Sequence, residues 1–188
     1  MSEIRLVDNF VHLRRYEMDD AAPLFEAINE SIRDLKDWLE WAQDGYSIHE
    51  TEAWLRAQDN WWRDGEVYNF AITDLDTQKF LGGCLLNNIN RKDRFANLSY
   101  WVRSSWTGKG TATAASRLVA VFGFTHLALN RIEIVMAKSN QASIRVAEKL
   151  GAKREGELRR RICIRGTIHD AWMYSLITDD LQTSTDSA

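Results

Sequence analysis

The sequence predicts a mixed α/β domain whose first half is antiparallel. Two periodicities and their order along the 188 residues carry this reading. Apolar residues alternate with polar or small ones in short runs bounded by turn residues, as at Tyr68, Phe70 and Ile72. In other segments they recur at helical spacing, as at Leu24, Ala27, Ile28 and Ile32. The elements follow the order β-α-α-β-β-β-α-β-α-β-β, and the three consecutive strands are joined too closely for parallel crossovers.

Val11 to Tyr16 reads as the first strand. Asp19-Asp20 ahead of Pro23 marks a helix start, because acids suit the positive end of a helix and proline its first turn. A second helix begins at Ser47-Ile48-His49-Glu50, a capping-box pattern, and ends at Asp64-Gly65. It carries Trp54, Leu55, Trp61 and Trp62 on one side. Tyr68 to Thr73, a turn over Asp74 to Gln78, then Phe80 to Asn87 and Phe95 to Val102 form the meander. A third helix runs from about Gly108 to Leu127, burying Ala112, Ala115, Leu118, Val119 and Phe122. Arg131 to Lys138 is a β-branched strand, and Asn140 to Leu150 a short helix closed by Gly151. Two last strands near Leu158–Ile164 and Ala171–Ile177 are joined at Arg165-Gly166-Thr167. One domain over residues 1–181 and a frayed polar tail at 182–188 are expected.

Composition excludes several classes. With 45% hydrophobic and 27% charged residues the chain is not a disordered one. A net charge of −3 leaves no global basic field for a nucleic acid. Alternation along a strand would divide Arg159-Arg160-Arg161 between two faces, so a solvated or ion-paired strand is expected there. The apolar stretch Leu118 to Phe122 is far short of the roughly 20 residues of a membrane span. The start, Met1-Ser2-Glu3-Ile4-Arg5, has no apolar leader core. Two cysteines, Cys84 and Cys163, make no disulfide framework and suit a reducing cytoplasm; Cys84 is expected in the core. His12, His49, His126 and His169 share no ligand spacing with them, so no metal is expected. Of eight tryptophans, five lie between residues 38 and 62, which points to an aromatic-lined region from the N-terminal third.

The segment Tyr100-Trp101-Val102-Arg103-Ser104-Ser105-Trp106-Thr107-Gly108-Lys109-Gly110-Thr111-Ala112 carries chemistry. A strand ends, a glycine-containing loop follows and a helix starts, and free N–H groups at a helix N-terminus bind phosphate oxygens. It is not a Walker A loop, since Arg103 and Gly110 stand where that loop needs a glycine and a Ser/Thr. It is not a dinucleotide fingerprint, which needs three glycines in a βαβ unit. A second strand–helix segment runs from Ile132 through Asn140 and Ser143 to Lys149-Leu150-Gly151. Asn140 and Ser143 on their own also suit a helix cap and its first-turn partner.

Together these segments resemble the GNAT (Gcn5-related) N-acetyltransferase superfamily. Thr107-Gly108-Lys109-Gly110-Thr111-Ala112 stands for its Gln/Arg-x-x-Gly-x-Gly/Ala loop, and Asn140 and Ser143 for its Asn-x-x-Ser motif. Asp37-Trp38-Leu39-Glu40-Trp41, Ser99-Tyr100-Trp101-Val102 and Gly166-x-x-His169-Asp170-x-x-x-Tyr174-Ser175-Leu176 are similar to the RimJ/RimL branch, which holds ribosomal-protein N-terminal acetyltransferases. The resemblance covers roughly residues 5–181. It implies a GNAT fold with a splayed central sheet and acetyl-CoA between the parting strands. Trp101 and Val102 would meet the pantetheine arm; Thr107, Gly108, Lys109, Gly110, Thr111, Ala112 and Thr113 would hold the pyrophosphate. Asn140 would shape the channel, and Ser143 would sit by the thioester sulfur as proton donor. Trp38, Glu40 and Trp41 would meet the acceptor, with core packing the competing reading for the tryptophans. No metal is implied, and relatives often pair as homodimers.

Two positions depart from the pattern. Thr107 replaces Gln or Arg and removes one long donor while leaving the backbone cradle. Asn97 stands where many relatives carry a glutamate, so the base is unassigned, with Glu40 or His169 acting through water as candidates. The reading is a cytoplasmic enzyme that moves an acetyl group from acetyl-CoA to an α-amine at a protein or peptide N-terminus by direct attack, with neither nucleic-acid nor membrane partner. The alternatives are detoxification of an amine-bearing antibiotic or aminoacyl nucleotide, and a CoA-binding regulatory module without turnover.

Overall fold

Local signals start the first two helices where the sequence predicts. The computed structural model describes residues 4–182. Strands β1 (Arg5–Val7) and β2 (Val11–Arg14) form an antiparallel pair. A 3-10 turn at Met18–Asp20 then leads into α1 (Ala21–Leu35). Asp20, buried, accepts the Glu17 N–H at 2.8 Å and takes a two-pronged contact from Arg14 at 2.8 and 2.6 Å. Helix α2 (Ile48–Asp64) has the capping box in full: the Glu50 carboxylate accepts the Ser47 N–H at 2.8 Å, and the Ser47 hydroxyl accepts the Glu50 N–H at 3.3 Å. Gly65 ends it in the left-handed conformation, φ 68°.

The meander follows as β3 (Tyr68–Asp74), β4 (Phe80–Asn90) and β5 (Phe95–Val102). A 3-10 turn at Ser104–Trp106 leads to α3 (Thr111–His126), then β6 (Arg131–Ala137), α4 (Gln141–Lys149), β7 (Lys153–Ile164), β8 (Thr167–Leu176) and α5 (Thr178–Gln182). All eight strands join one sheet in the order β1-β2-β3-β4-β5-β6-β8-β7. Phe70, Leu86, Leu98, Ile132, Ile134 and Leu176 pack with Ala115, Val119 and Phe122 of α3 in the larger core cluster. Tyr16, Leu24, Ile28, Leu55 and Phe80 form a second cluster that seats α1 and α2. Trp62 and Cys84 belong to the larger core; Trp62 donates its indole N–H to the Asn69 carbonyl at 3.1 Å. Burial pushes the Cys84 thiol up to about 12, so it stays a protonated packing group.

Several boundaries depart from expectation. Strand β2 stops at Arg14, two residues early, and β1 is an added three-residue strand too short to show a period. Helix α3 starts at Thr111 because Gly108 and Gly110 adopt φ of 77° and 87°, outside helical space. Strand β7 begins at Lys153, five residues before the apolar signal, because an edge strand bears exposed charge on its outer side. Helix α5 ends at Gln182, where the tail was expected to begin; residues 183–188 lie outside the described residues. The arginine run is the solvated strand expected, although its strand is not regular there. β7 carries a bulge between Leu158 and Ile162, and Arg159, Arg160 and Arg161 are all exposed.

One buried charge ties the layers together. Arg103, 3% exposed, follows β5 and reaches to α1. Its Nη1 donates to the Phe80 carbonyl at 3.0 Å, its Nε to Glu30 at 3.0 Å and its Nη2 to Glu26 at 2.8 Å. Glu30 also accepts the Ser105 N–H at 2.9 Å, and the Ser31 hydroxyl accepts the Ser104 N–H at 2.9 Å. A buried guanidinium needs this many acceptors to offset its lost hydration.

The Arg103 hydrogen bonds hold the Glu30 carboxyl at about 2, below its ordinary 4.5. A depressed carboxyl contributes stability that is full above its unfolded value and is lost as pH falls through its folded one. The melting-temperature gap between the wild type and Glu30→Gln is therefore expected to be full above 4.5 and to shrink as pH falls towards about 2. A gap that is constant with pH in thermal melts would contradict the assignment.

Candidate active site

Strands β5 and β6 run parallel but are paired only through Phe95, Ala96 and Asn97 against Arg131, Ile132 and Glu133. Beyond that point they part. Each is held along its length by its outer neighbour, β5 by β4 and β6 by β8. Leu98 to Val102 on one side and Ile134 to Ala137 on the other line a cavity of about 380 Å³. The inner edge of β5 past Asn97 thus presents backbone donors and acceptors that no strand pairs.

At one end of this cavity lies the loop before α3. Gly108, Gly110, Thr111, Ala112 and Thr113 line it, together with Trp106 and Thr107. A side chain added at Gly108 would meet nothing within 4 Å, so the space beside that backbone is open. The first turn of a 16-residue helix leaves N–H groups free for an anion. The Thr111 hydroxyl is buried without a hydrogen-bond partner. Thr107 is exposed and donates its hydroxyl to the Ser104 carbonyl at 2.9 Å. Lys109 is not part of the lining; its Nζ stands 4.5 Å from the Trp106 ring centroid.

Across the cavity, Asn140 caps α4: its side-chain oxygen accepts the Ser143 N–H at 3.0 Å. The cap reading of Asn140 is therefore what its side chain does, while the residue also lines the cavity beside Ser143. The Ser143 hydroxyl sits 2.9 Å from the Tyr100 hydroxyl, which is also 3.2 Å from the Ser143 carbonyl. Burial pushes the Tyr100 phenol up, so it remains a neutral hydroxyl. Sequence reasoning missed this partner, which is 43 residues from Ser143.

The three residues expected at the acceptor end separate. Trp38, half-buried, lines the cavity with Leu39. Trp41 does not; it is 41% exposed and lies edge-on to Trp101 at 6.1 Å, behind that lining residue. Glu40 does not either; its carboxylate accepts the Arg165 N–H at 2.9 Å and pins the β7–β8 turn. His169 lies opposite Ile162 and is absent from the lining. Asn97 donates to Asn87 and to Ser99, both at 2.9 Å. Among the described lining residues the one carboxylate is Asp34, which accepts the Ser104 hydroxyl. Among the described residues no cluster of His, Cys, Asp or Glu could hold a metal ion, and no helix is long and apolar enough to cross a membrane.

The cavity therefore joins a strand edge open to amides with a helix N-terminus open to an anion. Comparison with known proteins assigns the class. The model of the acetyltransferase (GNAT) domain matches residues 11–153. The Bacillus subtilis protein named "Putative ribosomal N-acetyltransferase YdaF" is 31% identical over 91% of this chain and 93% of its own. The solved structure of Mycobacterium smegmatis RimJ with CoA-disulfide superposes with a TM-score of 0.82 at 26% identity, covering 95% of this chain and 88% of the other. A RimL structure, named as a ribosomal L7/L12 α-N-protein acetyltransferase with coenzyme A, shares the fold at TM-score 0.86 and 22% identity, over 94% and 99% of the two chains. The chain belongs to the GNAT acetyltransferase family. It is an N-acetyltransferase, and acetyl-CoA is its acetyl donor. The orphaned Thr111 hydroxyl and the open space at Gly108 fit that donor.

A valine at Gly110, where φ is 87°, is strained and holds the helix start away from a bound pyrophosphate. Gly110→Val is expected to weaken acetyl-CoA binding at least about tenfold, or ~1.4 kcal/mol, with the fold retained. Calorimetry that finds unchanged affinity in a folded variant would remove this loop from the cofactor site.

Proposed function

We propose that the enzyme acetylates the α-amine at the N-terminus of a protein or peptide, of the ribosomal-protein type, in the cytoplasm. The observation that carries this is the lack of a disengaged base in the cavity lining. The amine must be neutral to attack, and Asp34 already accepts a hydrogen bond from Ser104. An α-amine, with a reference pKa of roughly 7.7–8.0, is partly neutral near pH 7.5 without help, whereas a lysine amine near about 10.4 is almost wholly charged. The names of the relatives, ribosomal-protein acetyltransferases, support the same acceptor. Two free cysteines suit a reducing compartment.

The bound donor supplies an activated acetyl thioester. In this reading the N–H groups of Thr111, Ala112 and Thr113, with Gly108 and Gly110 beside them, hold its pyrophosphate. The backbone of Trp101 and Val102 holds its arm, and Thr107 borders the phosphates, while the Lys109 side chain stays on Trp106. Trp38 walls the acceptor side. Ser143 is the proton donor to the departing sulfur. The Tyr100 hydroxyl, in hydrogen-bond contact with the Ser143 hydroxyl, holds that serine at the cavity wall for this step.

Two measurements test this. A peptide with a free α-amine is expected to be acetylated with kcat/KM rising with pH and levelling near about 8, while the same peptide blocked at its N-terminus and carrying a lysine is a poor acceptor. Equal rates on the two peptides would overturn the acceptor assignment. Ser143→Ala is expected to lower kcat about tenfold or more with acetyl-CoA affinity retained, and wild-type kcat would return the proton transfer to solvent.

A further inference from the structure

Strand β7 carries a group of charges that the acetyl transfer leaves unused. Its two acids are committed elsewhere: Glu155 to Arg131 at 2.5 Å and to the Ser175 hydroxyl at 2.6 Å, and Glu157 to Lys138 at 2.8 Å. Arg159, Arg160 and Arg161 have no such partners. They occupy the bulge between Leu158 and Ile162, where three residues of β7 oppose the single Asp170 of β8. Arg160 takes φ 53°, and its backbone N–H donates to Asp170 at 2.7 Å. The bulge is thus a fixed turn of the edge strand, and three exposed guanidinium groups fan out from it.

The placement of the bulge is informative. The next inward-facing residues of β7, Ile162 and Ile164, line the same cavity as Trp38 and Leu39. The β7–β8 turn is pinned to the loop between α1 and α2, where Glu40 accepts the Arg165 N–H and the Ala42 carbonyl accepts the Arg165 guanidinium. The arginines are therefore held at a set distance from the acceptor wall. Charge and a bulge on an edge strand do blunt unwanted strand pairing. That role is indifferent to position, however, and does not require three unpaired arginines next to the cavity.

We propose that the Arg159–Arg161 bulge is a docking surface for carboxylates in an acidic acceptor peptide whose N-terminal amine lies in the cavity. This rests on the peptide-acceptor reading above and narrows its substrate class. Arg161 directly precedes the lining residue Ile162, and an extended peptide spans about 3.3–3.6 Å per residue, so a peptide leaving the cavity past Ile162 reaches the bulge within its first several residues. Arginine forks match carboxylates in pairs. A nucleic-acid strand fits less well. It needs a row of phosphates neutralised along its path, while this chain is net −3 and its bulge is flanked by Glu157 and Asp170.

The test uses two free-amine peptides identical but for Asp/Glu or Asn/Gln at positions three to six. The acidic peptide is expected to have the higher kcat/KM by about tenfold at low salt, from a few exposed ion pairs acting together. The preference is expected to fall towards unity in high salt and in Arg159→Ser/Arg161→Ser, with the KM for acetyl-CoA unchanged, and to persist in Arg159→Lys/Arg161→Lys. Equal kcat/KM for the two peptides, or a preference that survives the serine substitutions, overturns the proposal. So does arginine-dependent binding of single-stranded RNA that displaces the acidic peptide. Fluorescence anisotropy of a labelled acidic peptide, already acetylated at its N-terminus, separates the two readings. If no peptide is acetylated yet this blocked one binds through the arginines, the acceptor assignment falls and the docking surface stands.

Discussion

The parting of β5 from β6 after Asn97 and Glu133 is the constraint on which the rest depends. A sheet that opens in its middle leaves buried main-chain groups unpaired, and each such group costs about 1–3 kcal/mol. The opening persists because neither strand relies on the other. β4 holds β5 from Gly82 to Asn90, and β8 holds β6 from Ile132 to Ala137. A donor whose arm carries amide groups suits the exposed edge, and one whose far end carries phosphates suits the helix start beyond it. The cavity, the glycines at 108 and 110 and the placing of Ser143 across from Tyr100 all follow from that one interrupted ladder.

Arg103 makes the opening a single unit with α1. Its guanidinium reaches Phe80 on one side and Glu26 and Glu30 on the other, and the N–H groups of the two residues after it end on Ser31 and Glu30. The turn that feeds the phosphate loop is thus hung from one helix. The same helix continues through a bonded turn, with the Trp38 N–H on the Leu35 carbonyl at 3.0 Å, into the residues that wall the cavity. Movement of α1 would disturb the loop and the acceptor wall together.

What was legible in the sequence was local. The Ser47–Glu50 box, the left-handed Gly65, the glycines before α3 and the full span of β5 are set by interactions within a few residues, and the sequence shows them. The family motifs located the loop and the Asn140–Ser143 pair. What was not legible depends on partners far along the chain. Arg103 meets α1 across 73 residues, and Tyr100 meets Ser143 across 43. Both residues stand in segments that the sequence singles out, but nothing there points to these partners. Trp38, Glu40 and Trp41 look like one motif, yet the turn after α1 sends them in three directions, to the cavity, to Arg165 and to Trp101. The arginine run is solvated as expected, while the bulge that carries it, which suspends the period-two pattern, was not legible.

The chemistry of the site follows from how few proton acceptors its lining offers. Tyr100 is kept protonated by burial, and Asn97 is occupied by Asn87 and Ser99. The one lining carboxylate among the described residues is held by Ser104. In the proposed reading, a charged ammonium entering such a cavity loses hydration and meets Arg145 and Lys149 as well as Asp34. A neutral amine loses far less. In that reading the cavity favours an acceptor of low amine pKa, and Asn97 in place of a carboxylate is part of the preference. Charge recognition is left to the rim, where water still screens it and where exposed arginines can engage a peptide without raising the barrier at the reacting atoms.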